Sequence, residues 1–347
     1  MLKKGILLFT LLILLVSVLA GGVLAEDKEV YEMKFGVSNP PKEYHHSWTP
    51  YIVFKNEVEL RSNGRLQVKI FPGGQLGSIE SMVNQVRMGA IEATEPSDGH
   101  LASIYPNIQV FSIPYLFSNR MVAWEVLGGP FGQKMIEDMA QKTGLRALFW
   151  SENGGFRHYS NDKRLVKTPA DMKGLKIRTM NIPLHMKIVE DLGASPTPIS
   201  WNELYTALQT GVVDGQENSV ATFLVPKLEE VQKYIILDGH VYGVNSIVLN
   251  EEWYQGLPDD LKEIIHQSAQ IALSVNHGLT VAREVKGIEY LKEKGVQIYR
   301  PTLEEKVLFK EKTQQSAIDW LNNNLDPDWV KGILEATEKA EKELGLN

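Results

Sequence analysis

Residues 175–218 read LKIRTMNIPLHMKIVEDLGASPTPISWNELYTALQTGVVDGQEN. Residues 175–178 are a short apolar alternation, the pattern of a strand. Residues 183–192 carry helical spacing behind Pro183, which suits a first helical turn. Ser200-Trp201-Asn202-Glu203 fits a capping box, so a helix is expected from Ser200, with Gly211 ending it. Gly211-Val212-Val213-Asp214-Gly215-Gln216-Glu217-Asn218 then reads as a turn into a strand with an amide at its end. Strand, helix, helix and strand in direct succession mark an α/β chain.

The same style extends outward in both directions. Strands are expected over residues 31–37, 66–71 and 145–150, and later over 232–237 and 244–249. Helices are expected from Ser47 to Arg61, over 78–88 and over 118–140. Residues 258–295 hold one extended helical pattern interrupted only by Gly278 and Gly287. Amphipathic helices over 304–321 and 328–344 close the chain. A length of 347 residues suggests two domains, and no Gly-, Ser- or Pro-rich linker separates them. Two lobes without a linker imply that the chain crosses between them more than once. A cleft between such lobes is a usual seat for a ligand.

Hydrophobic residues make up 43% of the chain and charged residues 23%, which permits an ordinary core. The N-terminus is expected to lie outside that core. Lys3 and Lys4 precede an apolar run over residues 6–20, and Ala25 ends a small-residue stretch. That is the layout of a signal peptide over residues 1–25, with a retained anchor as the alternative. Cysteine is absent, which removes thiolate zinc sites and Cys nucleophiles. A formal net charge of −7 disfavours nucleic acid as a partner, though the local field of a pocket can still hold an anion.

Motifs for bond chemistry are missing: no G-x-S-x-G elbow, no H-E-x-x-H helix, no P-loop and no G-x-G-x-x-G. His45-His46 is the only adjacent His pair, and no further ligands are spaced around it for a metal. Neither a metal nor any other cofactor is therefore expected. Cationic and amide groups at strand ends remain. Arg178 ends one strand, Arg157 follows Gly154-Gly155-Phe156, and Asn218 ends another. Strand ends in α/β folds face the ligand crevice. An arginine fork matches a carboxylate with two parallel hydrogen bonds.

Residues 157–161, 168–178 and 201–218, with Phe71-Pro72-Gly73-Gly74-Gln75-Leu76-Gly77 and Ile113-Pro114-Tyr115-Leu116-Phe117, resemble the DctP-type substrate-binding subunits of TRAP transporters. The resemblance implies a two-domain, periplasmic-binding-protein-like α/β fold with a hinge and a long helix spanning both domains. It places residues 26–154 and 244–282 in the first lobe, and 155–243 and 283–347 in the second. It implies an exported, monomeric receptor that captures a small organic acid and delivers it to a membrane permease, with no catalysis. Arg178 then matches the arginine that forks onto the ligand carboxylate, Arg157 a second neutralising arginine and Asn218 the amide that assists. Trp201 matches an aromatic wall and His240 a cleft residue. Ser38, Glu43, Tyr44, His45, Ser97 and Asp98 are candidates in the more variable first lobe. Glu217 is a candidate to fix an arginine fork. A sensing subunit with the same pocket and an exported hydrolase are the competing readings.

Overall fold

The computed structural model describes residues 29–43 and 45–346, so the expected leader and the candidate Tyr44 lie outside the described residues. The first sheet holds β1 (Tyr31–Gly36), β2 (Leu66–Phe71), β3 (Ala93–Thr94), β4 (Leu145–Ala147) and, from late in the chain, β11 (Val248–Asn250). Their order is β2-β1-β3-β11-β4, with β1 parallel to both neighbours and β11 antiparallel to both of its own. A parallel pair needs a crossover. The helix Thr49–Arg61 supplies it, burying Tyr51, Phe54 and Val58 in one cluster with Met33, Phe35 and Leu66.

The second sheet holds β5 (Ser151–Asn161), β6 (Lys176–Thr179), β7 (Ser195–Pro198), β8 (Gly215–Asn218), β9 (Tyr234–Ile236), β10 (Val241–Asn245) and β12 (Gln297–Tyr299). Its order is β12-β9-β5-β8-β6-β7, with β10 paired to β5. The helix Pro183–Asp191 joins the parallel pair β6 and β7.

Connections between the sheets are strands and one helix. Strand β5 was not anticipated as an eleven-residue element, because Gly154-Gly155 breaks its pattern. Both glycines have positive φ, +78° and +89°, a conformation other residues adopt reluctantly. Opposite them the register of β10 slips between Gly243 and Val244, so the ribbon bends there. The single strand expected over 244–249 is two, β10 and β11, one for each sheet. The helix Asp259–Glu293 runs unbroken for 35 residues. At 1.5 Å per residue that is about 50 Å, enough to lie across both lobes. Leu261, Ile265 and Ala269 pack in the first-sheet cluster, while Ile288 and Leu291 pack with Leu204 and Phe223. Gly287 does not interrupt the helix; it lets Val220 and Leu224 approach to 2.8–2.9 Å of where a Cβ would sit.

Other expectations need correction. The helix expected over 118–140 is two, Arg120–Gly128 and Pro130–Thr143. Pro130 has no N–H to donate, so the first helix stops before it and the second starts on it. Neither Ser47 nor Ser200 caps a helix. Ser47 Oγ lies 2.7 Å from His45 Nδ1, and the helix begins at Thr49 with Pro50 in its first turn. Beyond Ser200 a 3-10 turn, Trp201–Glu203, precedes the helix Leu204–Gln209. The last helix, Pro327–Glu343, packs Trp329 edge-on to Tyr105 and Phe131, so the chain's end lies against the first-lobe segments. Residues 283–347 therefore do not pack as part of one lobe: an amphipathic stripe says that a face is buried, not which lobe buries it.

Candidate functional site

Strand ends from both sheets converge on one cleft. Arg178 on β6 and Asn218 at the end of β8 come from the second sheet. Ser38 and Asn39 follow β1, and Glu95 and Ser97 follow β3. Asn245, the last residue of β10, completes the ring.

Arg178 is only 2% exposed, yet among the described residues no carboxylate pairs with it. Its Nε donates to the Ile199 carbonyl at 2.8 Å, which aims the fork and leaves the terminal nitrogens to the cleft. Burial pulls its pKa down to about 10, with Glu217 opposing and Arg157 adding to the fall, so it remains a cation at neutral pH. A buried cation without a counter-ion is costly, and a bound anion relieves that cost.

Arg157 stands differently. Its fork is taken by Glu217, with Nε 2.5 Å from Oε2 and one terminal nitrogen 2.9 Å from Oε1. It does not line the cleft, but its other terminal nitrogen is buried without a partner. Burial opposes ionisation of Glu217, but Arg157, His185 and His240 together hold its pKa well below the usual range. His240 also lies outside the cleft lining. It stacks on Tyr159 at 4.0 Å and its Nδ1 is 2.8 Å from Asp238 Oδ2. Against the pull of burial, Asp238 and Glu217 raise its pKa to about 9. Behind Arg178 there is thus a buried network of paired charges.

The remaining candidates divide. Trp201 is half-buried and lines the cleft. Asn218 donates to Gln216 Oε1 at 3.1 Å, and a second N–H remains on the same amide. Ser97 Oγ sits 2.8 Å from His100 Nδ1. Asp98 faces away, accepting from Ser112 Oγ at 3.0 Å. Glu43 is exposed, and His45 is buried against the His46 ring at 4.5 Å; neither lines the cleft. Sequence reasoning missed Asn39, Glu95, His100, Met180 and Asn245 as lining residues. The rule that strand ends face the crevice marks Asn39, Glu95 and Asn245, had it been applied to the first sheet as it was to the second.

Among the described residues no group of three or more His, Cys, Asp or Glu side chains is placed to hold a metal ion. No helix among them is long and apolar enough to cross a membrane.

The chain has relatives among known proteins. A solute-binding protein of Verminephrobacter eiseniae is 36% identical over 253 residues, covering 73% of this chain and 75% of its own. The 2,3-diketo-L-gulonate-binding periplasmic protein YiaO of Escherichia coli is 34% identical, covering 71% and 74%. The crystal structure of the sugar acid binding protein DctPAm from Advenella mimigardefordensis, in complex with galactonate, superposes with a TM-score of 0.85. It is 32% identical and covers 90% of this chain and all of its own. The family model of bacterial extracellular solute-binding protein family 7 matches residues 36–322. The chain belongs to that DctP family, the substrate-binding proteins of TRAP transporters, and is a solute-binding protein, not an enzyme.

Proposed function

We propose that this protein captures one small organic acid through an arginine–carboxylate clamp and delivers it from outside the cytoplasm to a TRAP-type membrane permease. The observation that carries the proposal is Arg178, a buried guanidinium in the cleft wall with no carboxylate partner among the described residues. Its two terminal nitrogens donate in parallel to the ligand carboxylate. The second Asn218 N–H adds to the same group, and Arg157 lends its positive charge from behind the cleft wall. Glu217 keeps the Arg157 fork in place. Contacts from the first lobe are complete only when the lobes meet, so ligand draws the population toward the closed form by its differential affinity. Relatives named for diketogulonate and galactonate support an acid as the cargo.

Thermal unfolding with a panel of acids tests this. A cognate acid at a hundredfold excess over its dissociation constant stabilises the protein by about 2.7 kcal/mol. Arg178→Ala loses most of that shift while keeping the far-ultraviolet circular dichroism of the wild type. A full shift in Arg178→Ala overturns the clamp.

A further inference from the structure

The wall of the first lobe carries three acceptor side chains. Glu95 is 4% exposed and lines the cleft. Its Oε1 receives the Ser38 N–H at 2.8 Å and the Ser38 hydroxyl at 2.6 Å. Asn245 and Tyr51 also hydrogen-bond the Glu95 carboxyl, and Asn245 donates through Nδ2 to the Tyr51 hydroxyl at 2.9 Å. That bond fixes which end of the amide faces outward. Asn245 Oδ1 is left buried with no donor, and so is Asn39 Oδ1. Both residues line the same cleft as Arg178. Buried carbonyl oxygens in native proteins have donors. A ligand carrying hydroxyls can supply them.

We infer that this wall, Glu95 with Asn39 and Asn245, reads hydroxyl groups, and that the captured acid is a polyhydroxylated monocarboxylate of the aldonate type. The inference rests on the clamp proposed above: Arg178 takes the carboxylate end, and the acceptors take the hydroxylated end. Competing ligand classes fit worse. A dicarboxylate would turn its second anionic group toward a carboxyl and two bare carbonyls. Arg178 is the only Arg or Lys lining this cleft among the described residues. Burial lowers the pKa of His100, the nearest other base, to about 4, so it is neutral. An aliphatic acid would leave the acceptors unmet. Burial raises the Glu95 pKa to about 7, so near neutral pH the carboxyl is present in both states. A hydroxyl both donates and accepts, so it matches Glu95 in either state.

The test is isothermal titration calorimetry at neutral pH on the protein without its first 25 residues, after unfolding and refolding to strip carried ligand. Galactonate, gluconate and erythronate are compared with succinate, hexanoate and glutamate. At least one aldonate is expected to bind ten-fold or more tighter than all three comparators. Glu95→Gln keeps the packing, and Glu95→Ala removes the acceptor altogether. Glu95→Ala is expected to weaken the aldonate ten-fold or more. Glu95→Gln is expected to fall between it and wild type. If succinate, hexanoate or glutamate binds as tightly as the best aldonate and does so through Arg178, the hydroxyl-reading wall is overturned and the clamp stands. Aldonate affinity unchanged in Glu95→Ala likewise overturns the wall alone. If no acid in the panel binds, or binding survives Arg178→Ala, the clamp fails and the wall with it.

Discussion

Arg157 and Arg178 are two arginines of the second sheet, both buried, and they are paired differently because of one neighbour. Glu217 is paired with Arg157 and leaves Arg178 open. The charge network behind them makes a prediction about pH. His240 has a folded pKa raised to about 9 against an ordinary value of 6.5. A raised base stabilises the fold fully below its unfolded pKa, and the contribution fades as pH rises through the folded one. Between pH 6.5 and 9, stability should therefore fall by up to about 3 kcal/mol on this account. His240→Gln should start lower and lose less across that window. Melting temperatures of both proteins, measured at half-unit steps of pH, check this; parallel curves would sink it. The sequence marked both arginines, Asn218 and Glu217 as residues that belong together. It did not say which arginine Glu217 holds, since that pairing depends on side chains that β8 and β5 bring face to face. Glu95 escaped notice for a similar reason. A carboxylate after a two-residue strand looks like surface until the sheet buries it.

At the scale of elements, periodicity served well where one face is buried and failed where single residues decide. The long helix was legible because its stripe persists through two glycines. The break at Gly129-Pro130 and the continuation of β5 through Gly154-Gly155 depend on backbone chemistry that a hydrophobic pattern does not carry. How the long helix is fastened to β5 was also invisible. Asn276, in the middle of that helix, accepts from the Glu152 N–H at 3.0 Å and donates to the Glu152 carbonyl at 3.1 Å. It also donates to the His46 carbonyl at 3.2 Å. One side chain thus satisfies backbone groups of the strand just before its bend. Replacing it by an apolar side chain of similar size strands those groups, each at a cost of about 1–3 kcal/mol. Asn276→Leu should destabilise the protein by at least about 2 kcal/mol in urea unfolding. A loss below about 0.5 kcal/mol, the range of an ordinary surface change, would show that water or the strand itself satisfies them.

For the whole molecule, the two lobes touch across the cleft. Ser97 Oγ of the first lies 3.5 Å from Met180 Sδ of the second. The Leu184 N–H donates to Gln109 Oε1 at 3.3 Å, and His185 Nε2 is 3.0 Å from Ser112 Oγ. Gly99 sits at one such approach. A Cβ there would stand 2.6 Å from Met180 Sδ and 2.7 Å from Ile182 Cδ1. The backbone of Gly99 has no need of positive φ, so the missing side chain is what the position requires. A methyl group alone could be absorbed by the flexible Met180, so a larger wedge is the informative change. Gly99→Leu should hold the lobes apart and shift the population toward the open form. Ligand affinity then falls by the fraction of molecules still able to close, and a ten-fold drop means a tenth remain competent. Small-angle scattering reads the same shift: saturating ligand should contract wild type and contract Gly99→Leu less. Gly256→Ala, where a Cβ meets nothing within 4 Å, is the control and should contract as wild type does. If Gly99→Leu contracts fully and binds as tightly as wild type, the approach at Gly99 does not limit closure, and the lobes must be stopped by contacts elsewhere in the cleft.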